Sequence, residues 1–249
     1  METGAEKMDD LWLRGGFPRS FLASDDAQSM LWRSNFISTY LEKDLAVMGS
    51  TIAPSVMYRF WLMLSHFHGQ VLNYSELGRS FGISDKMVKQ YLSILEDTFM
   101  VRLLLPWHAN LGKRLVKSPK IYLRDAGIFH ALQNIQTMNE LRTNPKIGAS
   151  WEGFALEEVV SFLSKRDNEV FFYASYAGTE LDLYWEDKGR KMGVEFKFMD
   201  APRLTKSMHQ SLSDLSLDHL WVIYPGEKSY PLSAHVTVLP LHEMRRLRI

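Results

Sequence analysis

Three residues in the last third of the chain have the types and spacing for phosphodiester chemistry. Thr179-Glu180-Leu181-Asp182-Leu183-Tyr184-Trp185-Glu186 and Gly193-Val194-Glu195-Phe196-Lys197-Phe198 each alternate, the period of a strand with two unlike faces. Between them, Asp187-Lys188-Gly189-Arg190 carries the glycine of a tight hairpin. A hairpin symmetric about Lys188 and Gly189 sets Asp182 opposite Glu195, Leu181 opposite Phe196 and Leu183 opposite Val194, so the apolar residues share one face. The other face then holds two carboxylates with Cβ atoms roughly 4.5 to 5.5 Å apart, which repel unless a cation compensates. Lys197, two residues beyond Glu195, points to that face. Hard carboxylate oxygens of this kind hold Mg²⁺ or Mn²⁺, leaving positions open for water and phosphate. Lys197 would orient the water or stabilise the phosphorane-like transition state.

The elements around this hairpin must position it. A helix over 151–165 precedes it, and its Glu152 shares a stripe with Leu156, Val159 and Leu163. An inward carboxylate there needs a partner; alternatively Glu152 only meets the helix dipole in the first turn. Strands are expected at 169–174, 179–186, 191–198 and 219–224, a helix at about 203–215, and a last strand and helix near 234–248. Glu180 shares the face of Asp182, either as a further acid or as an exposed strand residue.

Upstream, Met30, Leu31, Phe36, Ile37, Tyr40, Leu41 and Leu45 recur at helical spacing, with Gly49 as a stop. Arg14-Gly15-Gly16-Phe17-Pro18 reads as a turn before them. The stretch from 55 has the pattern of a winged helix-turn-helix. A helix over Val56 to His66 is followed by a second that starts at Asn73-Tyr74-Ser75-Glu76 and stops at Gly82, and a third capped by Ser84. Strands over 99–105 and 120–123 would frame the wing. Lys86, Lys89 and Gln90 on the third helix are residue types that touch phosphates and base edges, although winged helices also dock proteins. From Arg102 to Arg124 there are six basic residues, among them Lys113, Arg114 and Lys117, and no acidic one. That run is either a solvated loop or a phosphate-contacting surface. The expected divisions are 1–54 (helical segment), 55–142 (winged helix) and 143–249.

Composition narrows the chemistry. With no cysteine, thiolate nucleophiles, disulfides and thiolate metal sites are excluded. The eight histidines are scattered, which argues against zinc. Lys and Arg total 29 against 29 Asp and Glu, so net charge gives no argument for nucleic acid. Apolar runs fall far short of the roughly 18 to 20 residues of a membrane span, and the first ten residues carry no apolar leader. A cytoplasmic protein away from membranes is expected.

Gly148-Ala149-Ser150-Trp151-Glu152, Glu180-Leu181-Asp182 and Glu195-Phe196-Lys197 together resemble the PD-(D/E)xK nuclease superfamily. The resemblance implies a restriction-endonuclease-like mixed sheet flanked by helices, in a multidomain α/β or α+β chain. It implies Asp182 and Glu195 as metal ligands with the Phe196 carbonyl, Lys197 as catalytic lysine, and Glu152 as an outer acid acting through water. More loosely, it points to Gln210 or Lys206 on the following helix. Leu11-Trp12-Leu13-Arg14-Gly15-Gly16-Phe17-Pro18 and Tyr40-Leu41-Glu42-Lys43-Asp44-Leu45 extend the likeness across nearly the whole chain. In that extent it is similar to the C-terminal portion of a family of prokaryotic AAA-type ATPases, catalogued as domain of unknown function 4143. The family's ATPase domain comes first; here no G-x-x-x-x-G-K-[S/T] occurs, so neither bound ATP nor its hydrolysis is expected. The chain reads as the family's rear half, encoded alone or truncated. The expected function is a metal-dependent nuclease on DNA. Its rivals are a non-catalytic DNA-binding or regulatory module and a docking domain for an AAA-type ATPase or another protein.

Overall fold

A computed structural model describes residues 4–49, 51–108 and 115–247, with side chains from residue 7 onward. Two of the six proposed nucleic-acid contacts, Lys113 and Arg114, lie outside the described residues. The chain is a mixture of α and β, and divides into two compact units. One comprises the described residues of 1–102 and 121–154, the other those of 103–120 and 155–249.

In the first unit, α1 (Gly4–Arg14), α2 (Pro18–Phe21) and α3 (Asp26–Thr39) are followed by a π-helical turn (Tyr40–Asp44) and α4 (Leu45–Val47). The expected turn at Gly15 and Gly16 separates α1 from α2, and the reason for Gly15 is steric. Gly15 has φ +81°, and a Cβ there would overlap the Asp125 carboxylate. A Cβ on Gly127 would likewise meet the Arg14 carbonyl. Asp125 therefore caps Ile128 N–H at 2.8 Å with one oxygen and accepts from Gly16 N–H at 2.8 Å with the other.

Next come α5 (Pro54–His66), β1 (Gln70–Val71), α6 (Tyr74–Phe81) and α7 (Asp85–Asp97). Pro54 suits the first turn of α5, where its missing N–H is not needed. Asn73 and Ser84 cap α6 and α7 through backbone N–H groups of Glu76 and Met87, and Gly82 ends α6 in the left-handed conformation. Buried Phe60, Trp61, Leu64, Leu77, Val88, Leu92 and Leu95 form apolar stripes on these helices. The remaining elements of this unit are α8 (Ala126–Leu132), α9 (Met138–Thr143) and the opening turns of α10 (Ile147–Leu163).

Two strands, β2 (Val101–Pro106) and β3 (Lys120–Leu123), carry the chain between the units. The second unit contains the end of α10, then β4 (Val170–Ala174), β5 (Glu180–Asp187), β6 (Arg190–Phe196), α11 (Lys206–Leu215), β7 (His219–Tyr224), β8 (Tyr230–Ser233) and β9 (Val236–Pro240). The C-terminal region thus holds two strands and a short 3₁₀ segment (Leu241–Leu247) where one strand and a helix were expected. Its strand order is β2-β4-β5-β6-β7-β9-β8. The β4–β5, β5–β6 and β8–β9 pairs are antiparallel; β2–β4, β6–β7 and β7–β9 are parallel. β6 is an interior strand buried from Met192 to its end, which is where the sequence puts Gly193-Val194-Glu195-Phe196. α11 packs on β5 and β7. Met208, Leu215, Leu181, Tyr184, Leu220 and Val222 fill the interface.

Candidate active site

The β5–β6 hairpin has the register expected from its turn: Leu183 pairs with Val194 and Asp187 with Arg190. Lys188 and Gly189 both have positive φ, +50° and +79°, as the tight primed turns require. One step past the last pair, this register sets Asp182 across from Glu195. The apolar residues do not all share one face, and here the sequence reading needs correction. Against β4, Phe171 pairs with Tyr184 but Tyr173 pairs with Leu181, so Asp182 and Leu183 together oppose Phe172. This is a β-bulge, which breaks the alternation and re-aims a side chain. Leu181 consequently joins Tyr184 in the apolar cluster under α11.

Asp182 and Glu195 are both buried, at 5% and 4% exposure. One oxygen of Asp182 accepts from the Phe196 backbone N–H at 3.0 Å. Its other oxygen lies 3.3 Å from Lys120 Nζ. Lys197 Nζ stands 2.8 Å from Glu195 Oε2, and with its side chain 36% exposed it reaches solvent. Sequence reasoning did not place Lys120 here. It opens β3, is 3% exposed, ion-pairs with Glu180 as well as Asp182, and lies 5.7 Å over the Phe172 ring. Glu180, half exposed, is therefore a partner of a buried cation rather than a bare strand residue.

The electrostatics are asymmetric. Burial alone would raise the Asp182 carboxyl, but the charges of Lys120 and Lys197 and the Phe196 N–H outweigh it and hold it low. Glu195 is pushed well above the usual carboxylate range by burial and then by the charge of Asp182, with Lys197 only partly offsetting them. Two buried carboxylates on adjacent strands are hard-oxygen donors of the kind that Mg²⁺ or Mn²⁺ takes. Among the described residues, no three His, Asp or Glu side chains gather round one point, so a cation would complete its shell with water, main-chain carbonyls or substrate oxygens.

The other expected residues lie as follows. Glu152, on the opening part of α10 in the first unit, is partly buried and accepts from the Tyr122 hydroxyl at 2.6 Å. Gln210 Nε2 is 2.7 Å from Asp214 Oδ1 on the exposed side of α11, and Lys206 is exposed at its start. Lys86, Lys89 and Gln90 are exposed on α7, with Lys89 Nζ 5.2 Å from the Tyr74 ring centre, and Lys117 is exposed in the second unit. No described helix is long and apolar enough to cross a membrane.

Comparison with known proteins adds families but no activity. Residues 5–139 match the family model described as Domain of unknown function (DUF8612), and residues 147–244 match Domain of unknown function (DUF4143). The latter is found in proteins associated with AAA ATPases. Uncharacterised proteins of Mycobacterium bovis and Mycobacterium tuberculosis are each 43% identical over 243 residues, covering 98% of this chain and 55% of their own. The chain thus spans about half the length of the curated relatives it matches.

Proposed function

We propose that this chain, which belongs to the family of the domain of unknown function DUF8612, hydrolyses phosphodiester bonds of DNA with Mg²⁺ or Mn²⁺ held by Asp182 and Glu195. The observation that carries the reading is one cluster: two buried carboxylates on adjacent strands, a bulge at Asp182, and a solvent-reaching ammonium 2.8 Å from Glu195. This cluster has the residue types that the resemblance to the PD-(D/E)xK nuclease superfamily leads one to expect at such a site. The bound ion would polarise the phosphoryl group and lower the pKa of a water. The protein's own part is positional. Asp182 is fixed through Phe196 N–H, Glu195 through Lys197, and the Lys197 ammonium faces solvent where a scissile phosphate or attacking water would arrive. Lys197 would then give its hydrogen bond to the developing charge. The helices α5, α6 and α7 would form a winged helix-turn-helix that positions the duplex through Lys86, Lys89 and Gln90.

A second reading rests on Lys120. Because the chain's own cation already neutralises Asp182, the fold would also serve as a scaffold without chemistry: a DNA-binding or regulatory module, or a docking domain for an AAA-type ATPase. Incubating labelled single- and double-stranded DNA with purified protein and Mn²⁺ separates the two. The nuclease reading expects cutting that chelator stops and that Asp182→Asn loses. DNA binding with no cutting on any substrate supports the scaffold; no affinity for DNA, with an ATPase co-purifying, supports docking.

A further inference from the structure

Lys120 is costly to bury, and its surroundings show what offsets that cost. Its Nζ contacts Glu180 and lies 3.3 Å from Asp182 Oδ1, with the Phe172 ring on another side. The two oxygens of Asp182 are therefore both engaged, one by Lys120 and one by Phe196 N–H. Each oxygen can accept a hydrogen bond and bind a metal together, but a divalent ion at Oδ1 would sit beside the Lys120 ammonium, and like charges that close repel. The backbone donor is fixed in an interior strand, whereas the lysine has a flexible stem and a second carboxylate to hold it. Glu180, 50% exposed, lies outside the buried pair and can keep the ammonium after Asp182 lets go.

We propose that Lys120 is an internal counter-ion for the site: it occupies Asp182 Oδ1 while no metal is bound and is displaced onto Glu180 when a divalent cation binds. Lys120 is thus a positioning residue, which holds the metal-free pair together and sets the metal affinity. Displacement carries a definite cost. If Lys120 leaves Asp182 free about one-tenth of the time, the apparent metal affinity is about tenfold weaker than the carboxylates would give alone.

The inference rests on the metal-site reading above, and the test keeps the two apart. Isothermal titration of the full chain with Mn²⁺ is compared for wild type, Lys120→Met and Lys120→Gln, beside a crystal structure of wild type grown with Mn²⁺. The Gln variant keeps a hydrogen-bond donor for Asp182 without the charge, and serves if the Met variant does not fold. The expected result is Mn²⁺ binding about tenfold tighter in the variant than in wild type. In the wild-type complex, Lys120 should contact Glu180 only, with the metal on Asp182. Removing a positive charge tightens metal binding even at a distance, so the crystal contact is the deciding arm. Mn²⁺ on Asp182 with Lys120 still at Oδ1, or variant affinity equal to or weaker than wild type, overturns the displacement and leaves the metal site standing. No Mn²⁺ bound by any form at millimolar concentration overturns both.

Discussion

Trp12 and Ser150 are joined by a buried hydrogen bond, the indole N–H donating to the hydroxyl oxygen at 2.9 Å. Ser150 Oγ is also 2.7 Å from His130 Nε2, and His130 Nδ1 is 2.9 Å from the Leu13 carbonyl. Since a carbonyl only accepts, Nδ1 carries the proton; burial favours the neutral ring, in which Nε2 accepts from Ser150. This chain of bonds fastens α1 to α8 and the start of α10. Of the Gly148-Ala149-Ser150-Trp151-Glu152 run, Ser150 is spoken for by the fold.

Burial depresses His130 to about 3, and does the same to His68. With an unfolded value of 6.5 and a lower folded one, the unfolded chain binds more protons below neutrality. The stabilisation from neutral rings is therefore complete above about pH 6.5 and is lost as pH falls towards 3. Each histidine should cost about 2 kcal/mol between pH 7 and pH 5. Urea unfolding of the first unit at the two pH values measures this; equal midpoints would show that the rings are not held neutral.

Gly15→Ala should destabilise far more than Gly49→Ala. Both glycines have positive φ, +81° and +84°, but only Gly15 faces an obstacle, the Asp125 carboxylate. Gly49 should lose only about 1 kcal/mol for its backbone conformation. Gly15 should lose several times that, because Asp125 must also release Gly16 N–H. Thermal unfolding of the two variants decides it, and equal losses would remove the steric explanation.

The hairpin was legible because turn chemistry and alternation within one short segment fix its register; Leu183 against Val194 needed no distant information. The caps Asn73 and Ser84 and the stop at Gly82 were readable for the same reason. The bulge was not legible, since it is defined by how β5 meets β4, and neither strand's pattern records the extra residue. Lys120 was hidden more deeply. It pairs with Asp182 across 62 residues, and in the sequence it is one of six basic residues, at the start of the strand expected at 120–123, with nothing local to show what it faces.

If α7 lies against phosphates, Lys86→Ala with Lys89→Ala should weaken binding to any duplex and flatten its salt dependence. Two lost phosphate contacts reduce the slope of log affinity against log salt by about 2. Fluorescence anisotropy with two unrelated duplexes across a salt series reads this directly. An unchanged slope would remove α7 from the DNA-facing surface and favour docking.

Lys197 carries the sharpest consequence of the proposed chemistry, because its ammonium touches Glu195 yet reaches solvent. In single-turnover cleavage of end-labelled DNA with saturating Mn²⁺, Lys197→Met is expected to cut at least about a hundredfold more slowly than wild type. Its circular dichroism and DNA affinity should be unchanged. Cutting by the variant at the wild-type rate would contradict the assignment of this cluster as a nuclease site.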